Sequence, residues 1–213
     1  MQLGTGTSGK SMTYINVVGG KFARKADKGA VGATARTNKL GVEVYEILTD
    51  WVAGYISDIQ LNKSTEYGDS YSVVLDAGNE TFAVQLGVLS KPGMTFAKVL
   101  PNIKLDEPVK LTLSTKKDEE GKDQVSLFVN QDHQEKPISW AYTNAEKNGL
   151  PDMVLVKVNG KDTYDKTAQL EFLWNMIETT IIPNLKGKPN TETENTLEET
   201  HGDLLATNED APF

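Results

Sequence analysis

The chain has no cysteine and only two histidines, His133 and His201. Without thiols there is no disulfide framework, no thiol nucleophile and no cysteine-based zinc site. His133 lies in a turn-like Asp-His-Gln and His201 in a polar C-terminal stretch, neither at metal-ligand spacing nor beside an obvious Ser or Asp partner. Long apolar runs are missing too: nothing approaches the ~18–20 residues a membrane helix needs. The start, Met1-Gln-Leu-Gly-Thr-Gly, has no basic region leading into an apolar one, so it does not read as a secretory leader. The sequons Asn62-Lys-Ser64 and Asn79-Glu-Thr81 therefore carry no weight. Carboxylates are plentiful, but pairs such as Glu119-Glu120 fall in the polar turn Asp118–Lys122. Nothing places two of them from separate elements across a cleft, as sugar hydrolysis requires. These absences lead to the expectation of a cytoplasmic protein that is not an enzyme, has no cofactor or metal, and has no membrane partner.

One motif is deceptive. Gly4-Thr-Gly-Thr-Ser-Gly9-Lys10-Ser11 matches the P-loop pattern. A phosphate cradle needs a buried strand before the glycines and a helix after them. Only three residues precede Gly4, and the stretch after Ser11, Met12-Thr-Tyr-Ile-Asn-Val-Val18, is β-branched and ends in Gly19-Gly20. Residues 1–11 thus read as a flexible leader.

The dominant pattern is period-2 alternation. Between Asp50 and Asn130 it marks strands at Trp51–Leu61, Ser70–Asp76, Glu80–Val88, Val109–Ser114 and Gln124–Asn130. Asp76-Ala-Gly-Asn79 is a hairpin signal, and Gly54 fits a kink or bulge within the first strand. Ser90 and Pro92 open a helix over Pro92–Leu100, which Pro101 ends. Five strands with one helix between the third and fourth is the order of a closed OB-type barrel, and such barrels often bind single strands or sugars. N-terminal to it lie strands at Tyr14–Val18, Lys21–Lys25 and Val42–Leu48, with a small-residue loop over Asp27–Lys39. C-terminal to it come short strands at Ile138–Tyr142 and Met153–Val158 and the turn Asn159-Gly160. A long helix is expected over Thr163–Ile182, capped by Asp165. Its stripe of Leu170, Leu173, Trp174, Ile177 and Ile181 reads as core packing.

The expected fold is therefore mainly β: an OB-type five-stranded barrel with an N-terminal β-extension, a C-terminal helix and a disordered acidic tail. The binding domain spans residues 12–185 and the tail 186–213.

Net charge is −8, but it is segregated. Met1–Lys39 holds seven basic residues against one acidic, and Gly187–Phe213 holds seven acidic against one basic. Binding of single-stranded nucleic acid needs cations that track phosphates and exposed rings on which bases stack. Lys21, Arg24, Lys25, Arg36 and Lys39 are the expected phosphate contacts, and Phe22, Tyr45 and Trp140 the expected stacking rings. Tyr67 and Tyr71 are further candidates for exposure, whereas Trp51, Phe82, Phe96 and Phe128 are assigned to the core. The acidic tail ends in Glu209-Asp-Ala-Pro-Phe213; Asp210, Pro212 and Phe213 suit capture by a partner with an apolar pocket and a basic rim.

That terminus resembles the acidic tip of bacterial single-stranded DNA-binding proteins, with Ala211 where a larger aliphatic residue is usual. The body resembles phage-encoded single-stranded DNA-binding proteins in Tyr14–Lys25, Gly32–Lys39, Val44-Tyr45-Glu46, Gly54 with Asp58-Ile59, Leu150-Pro151, and Tyr164-Asp165 through Leu170–Leu173. The resemblance implies a protein that coats and protects single-stranded DNA without strong sequence preference during replication or recombination. It also implies recruitment of replication or recombination proteins through the tip. The rival expectation is a β-barrel or β-sandwich module of a viral structural protein that binds carbohydrate or protein. Oligomeric state is not legible in the sequence.

Overall fold

A computed structural model describes residues 12–38, 40–63, 68–131, 136–143 and 145–186. The leader and the acidic tail, with the assignments made to them, lie outside these residues. The described chain is mainly β. Its strands are β1 (Met12–Val18), β2 (Lys21–Lys25), β3 (Ala33–Thr37), β4 (Glu43–Thr49), β5 (Trp51–Asn62), β6 (Ser70–Asp76) and β7 (Thr81–Gly87). Helix α1 (Lys91–Val99) then precedes β8 (Val109–Lys117), β9 (Asp123–Gln131), β10 (Val154–Val158) and β11 (Lys161–Asp165). Helix α2 (Thr167–Met176) runs through a π turn at Ile177–Ile181 into α3 (Ile182–Lys186).

Nine strands form one curled sheet in the order β3-β4-β2-β1-β7-β6-β5-β8-β9, and β10-β11 is a separate hairpin. A closed five-stranded barrel is thus not what forms. Its closure would join β7 to β9, but the outer edge of β7 is taken by β1, in parallel, through Met12–Ile15 against Thr81–Val84. At the other side Ile138 N–H donates to the Val129 carbonyl of β9 at 2.8 Å, and Ala141 N–H donates to the Lys98 carbonyl of α1 at 2.8 Å. Unpaired strand edges need partners or cover, and these two segments supply them, leaving a half-barrel. The expected strand Ile138–Tyr142 is accordingly extended chain: its backbone divides its bonds between two elements and makes no ladder.

Strand β5 governs the curl. Trp51–Gly54 pair with β8, Tyr55–Asn62 pair with β6, and the register shifts between Ile56 and Asp58. Gly54 sits at the change of partner, where a Cβ would lie 2.8 Å from the Asp76 carbonyl oxygen. Inside the curl, Ile59, Val73, Leu75, Val84, Leu86, Phe96 and Leu111 are fully buried. Ser90 caps α1 as expected, accepting from Gly93 N–H at 3.1 Å.

Two further corrections concern boundaries. The loop assigned to Asp27–Lys39 contains β3, which pairs with β4 from Ala33↔Ile47 to Thr37↔Glu43. The C-terminal helix starts at Thr167, because Lys161–Asp165 pairs back on β10 across the Asn159-Gly160 turn. Asp165 still holds the start, accepting from Thr167 N–H at 2.9 Å and from its hydroxyl at 2.6 Å. Leu173, Ile177 and Ile181 are buried as expected, and Trp174 stacks on Tyr71 with ring centroids 6.3 Å apart.

Gly54→Val is expected to destabilise the fold by about 1–3 kcal/mol, since the added atoms must displace backbone at the bend rather than a mobile side chain. Urea unfolding followed by far-ultraviolet circular dichroism checks this.

Candidate nucleic-acid interface

The arm built from β1–β4 divides the expected contacts between its two faces. Register pairs Lys25 with Glu46, so Lys25 shares a face with Glu46 and Arg36. Arg24 pairs with Ile47 and Ile15, which puts it on the opposite face with Tyr45 and Phe22. Arg36 is committed to Glu46 by two bonds, Nε to Oε2 at 2.8 Å and Nη2 to Oε1 at 2.7 Å. Glu46 is held below the usual carboxylate range, chiefly by that hydrogen bond from Arg36 and also by its charge. Lys21 pairs with Asp50. Tyr45 donates to Glu43, which raises its hydroxyl pKa, and has Lys28 Nζ 5.8 Å from its ring centroid.

Phe22 is a correction. It is 1% exposed, packed in the core, and cannot stack on a base. The strand Lys21–Lys25 forms as expected, but its basic residues disguised that Phe22 turns inward beside Val17. Tyr71, another candidate for exposure, is equally buried, and burial pushes its hydroxyl up to about 12. Trp140 is exposed, with Lys98 Nζ 5.4 Å from its ring centroid. Burial, and then the charge of Lys166, lower the pKa of Lys98. Lys39, Tyr67, Asp210, Pro212 and Phe213 lie outside the described residues.

Two rings assigned to the core are instead on the surface. Trp51 is 52% exposed and Phe128 39%. They stand in one row across the outer face of β5, β8 and β9, with Thr112 between them. The next row is Ala53, Lys110 and Asn130, and on the other side come Ser114 with Ser126 and Lys116 with Gln124. Lys110 Nζ lies 4.8 Å from the Trp51 ring centroid, within cation–π range. These rows hold two cations and no carboxylate. Acidic side chains begin in the β8–β9 turn, where Asp118, Glu119 and Glu120 line one cavity with Lys91 and Lys116. The signal was available in strand parity: Val52 and Leu127 face inward, so Trp51 and Phe128 cannot.

Two cavities border this face. One, of about 290 Å³, lies between α1, β9 and the segment after it, with Lys91, Phe128 and Trp140 in its wall. The other, of about 280 Å³, lies where β5 parts from β6. Ile15, Phe22, Ile47 and Phe82 line it together with Arg24, and Trp51 borders it. Lys91, Lys110, Lys116 and Arg24 have no ion pair among the described residues.

No family model, curated protein or solved structure matches this chain. Among the described residues there is no cluster of His, Asp or Glu able to hold a metal ion, and no helix is long and apolar enough to cross a membrane.

The Arg36–Glu46 pair has a defined pH dependence. Because the folded-state pKa of Glu46 is depressed, its contribution is fully present above the unfolded value of about 4.3 and is lost as pH falls through the lower folded value. The stability gap between the native protein and Glu46→Gln should be widest near neutrality, begin to narrow as pH falls past about 4.3, and vanish below the lower folded value. Urea midpoints measured across that range test it.

Proposed function

We propose that the protein binds single-stranded DNA along the outer face of β5, β8 and β9, without strong sequence preference. The observation that carries this reading is the row of Trp51 and Phe128 set among Lys110, Lys116 and Lys91, cations with no acidic partner among the described residues. Stacking rings interleaved with cations free of ion pairs suit single strands, because every base has a flat apolar face and every nucleotide a phosphate. Trp140, across the cavity from Lys91, extends the row of rings.

The same reading takes β5–β9 with α1 as an OB-type unit opened on one side. Strand β5 pairs with both β6 and β8, β8 with β9, and α1 falls between the third and fourth strands. Ligands of such units often lie on the second and third strands. Here the outer face of β6 and β7 offers Ser70, Ser72 and Gln85, bonded to one another, and neither ring nor cation. The face on β5, β8 and β9 is chemically the better surface.

The test is tryptophan fluorescence during titration with oligo-dT at two salt concentrations, with duplex DNA as control. Quenching by the single strand that weakens as salt rises is expected. Absence of quenching by a protein with an intact β-rich spectrum would sink the proposal and leave a protein- or carbohydrate-binding module. Trp51→Ala and Phe128→Ala should each cost about 1–3 kcal/mol of affinity. Lys110→Ala with Lys116→Ala should reduce the slope of log affinity against log salt by about 1.4.

A further inference from the structure

The cavity where β5 leaves β6 sits at the end of that face. Beyond Gly54 toward its N-terminus, β5 has β8 on one side and no strand on the other. The space opened there is roofed by the β1–β2–β4 arm and closed at the side by Ala77 and Phe82. Its wall is apolar except for Thr49 and Arg24. Arg24 lies on the same face of the arm as Ile15 and Ile47, and no carboxylate neutralises it among the described residues. A guanidinium beside an apolar slot calls for a ligand with flat apolar faces and acceptors along one edge.

A hydrated phosphate does not fit that description, because it would leave its shell to face Ile15, Ile47 and Phe82. A nucleobase does. Guanine presents O6 and N7 side by side, at the spacing of the arginine fork, whereas adenine offers an amino donor at the corresponding place. Trp51 belongs both to the ring row and to the border of the cavity, so a strand lying along the face brings its next base to the opening.

We infer that this cavity takes one guanine base turned out of the bound strand, with Arg24 donating to its O6 and N7. The site thereby adds a base preference at a single position to an otherwise indifferent surface. The inference rests on the strand-binding reading above. It assigns Arg24 to a base edge rather than to the phosphates.

The experiment titrates the full chain with oligo-dT and with the same oligomer carrying one central guanine, 7-deazaguanine, adenine or cytosine. Guanine should tighten binding about tenfold over thymine, the scale of one bidentate base contact. Losing N7 should remove most of that gain, and adenine and cytosine should give less than guanine. Arg24→Lys, which keeps the charge but not the fork, should bring the guanine-to-thymine affinity ratio, taken within that variant, down to about one. Equal affinity for the thymine and guanine oligomers, with binding still dependent on Trp51 and Phe128, overturns the guanine site alone. A guanine gain that survives in Arg24→Lys, or a larger gain for cytosine, overturns it as well. Failure to bind any oligomer overturns the surface reading together with the site.

Discussion

The backbone of β5 cannot satisfy β8 and β6 along the same straight line, and the shape of the sheet follows from that constraint. Four residues pair to one side and seven to the other, with a register shift just past the change of partner. A strand shared in this way has to bend, and the sheet curls with it. Alternation along β5 turns Val52 and Ile56 into the core and leaves Trp51 and Tyr55 outside, and the register shift between Ile56 and Asp58 brings Ile59 inward. The change of partner parts β5 from the β6–β7 hairpin and opens the cavity that Trp51 borders. Gly54 makes the bend sterically possible, because a side chain there would meet the Asp76 carbonyl.

Charge is organised on the same small scale. The chain is acidic overall, yet the rows of β5, β8 and β9 hold Lys110 and Lys116 and no carboxylate, while the acids nearest in sequence gather in the turn at Asp118–Glu120. Near a surface, screening confines the effect of a charge to roughly 10 Å. A local cationic strip is therefore felt by an anion at short range whatever the total charge. On the arm the opposite arrangement prevails: Arg36 and Lys21 are matched to Glu46 and Asp50. Those two cations serve the arm's own structure.

Much of the fold was legible in the sequence, because alternation and turn residues report local geometry. The Ser70–Asp76 strand, the hairpin at Asp76-Ala-Gly-Asn79 and the cap at Ser90 are all where these signals put them. The features that escaped depend on partners distant in sequence. Ala33–Thr37 is too rich in small residues to announce a strand, and becomes one because β4 lies beside it. Closure failed as an expectation because it hinged on which segment reaches the edge of β7 first in space, and β1 does. The candidate site was less legible than the fold. Counting basic residues favoured the N-terminal arm, where Arg36 is already paired and Phe22 buried. Assigning large rings to the core by hydrophobicity overrode the parity that places Trp51 and Phe128 outside.

The parallel pairing of β1 with β7 joins segments far apart in the chain. Between Met12–Ile15 and their partners Thr81–Val84 lie β2 to β6. Apart from that edge, β1 is held through β2, which pairs in turn with β4, and β4 with β3. Pairing across such a separation is entropically slow. The β5–β6–β7 meander and the β1–β4 arm are thus each built from neighbours in sequence, and the β1–β7 edge joins the two. The roof of the cavity beside Trp51 belongs to that arm, so the cavity depends on this joining, whereas the surface rows lie on β5, β8 and β9, which pair with one another.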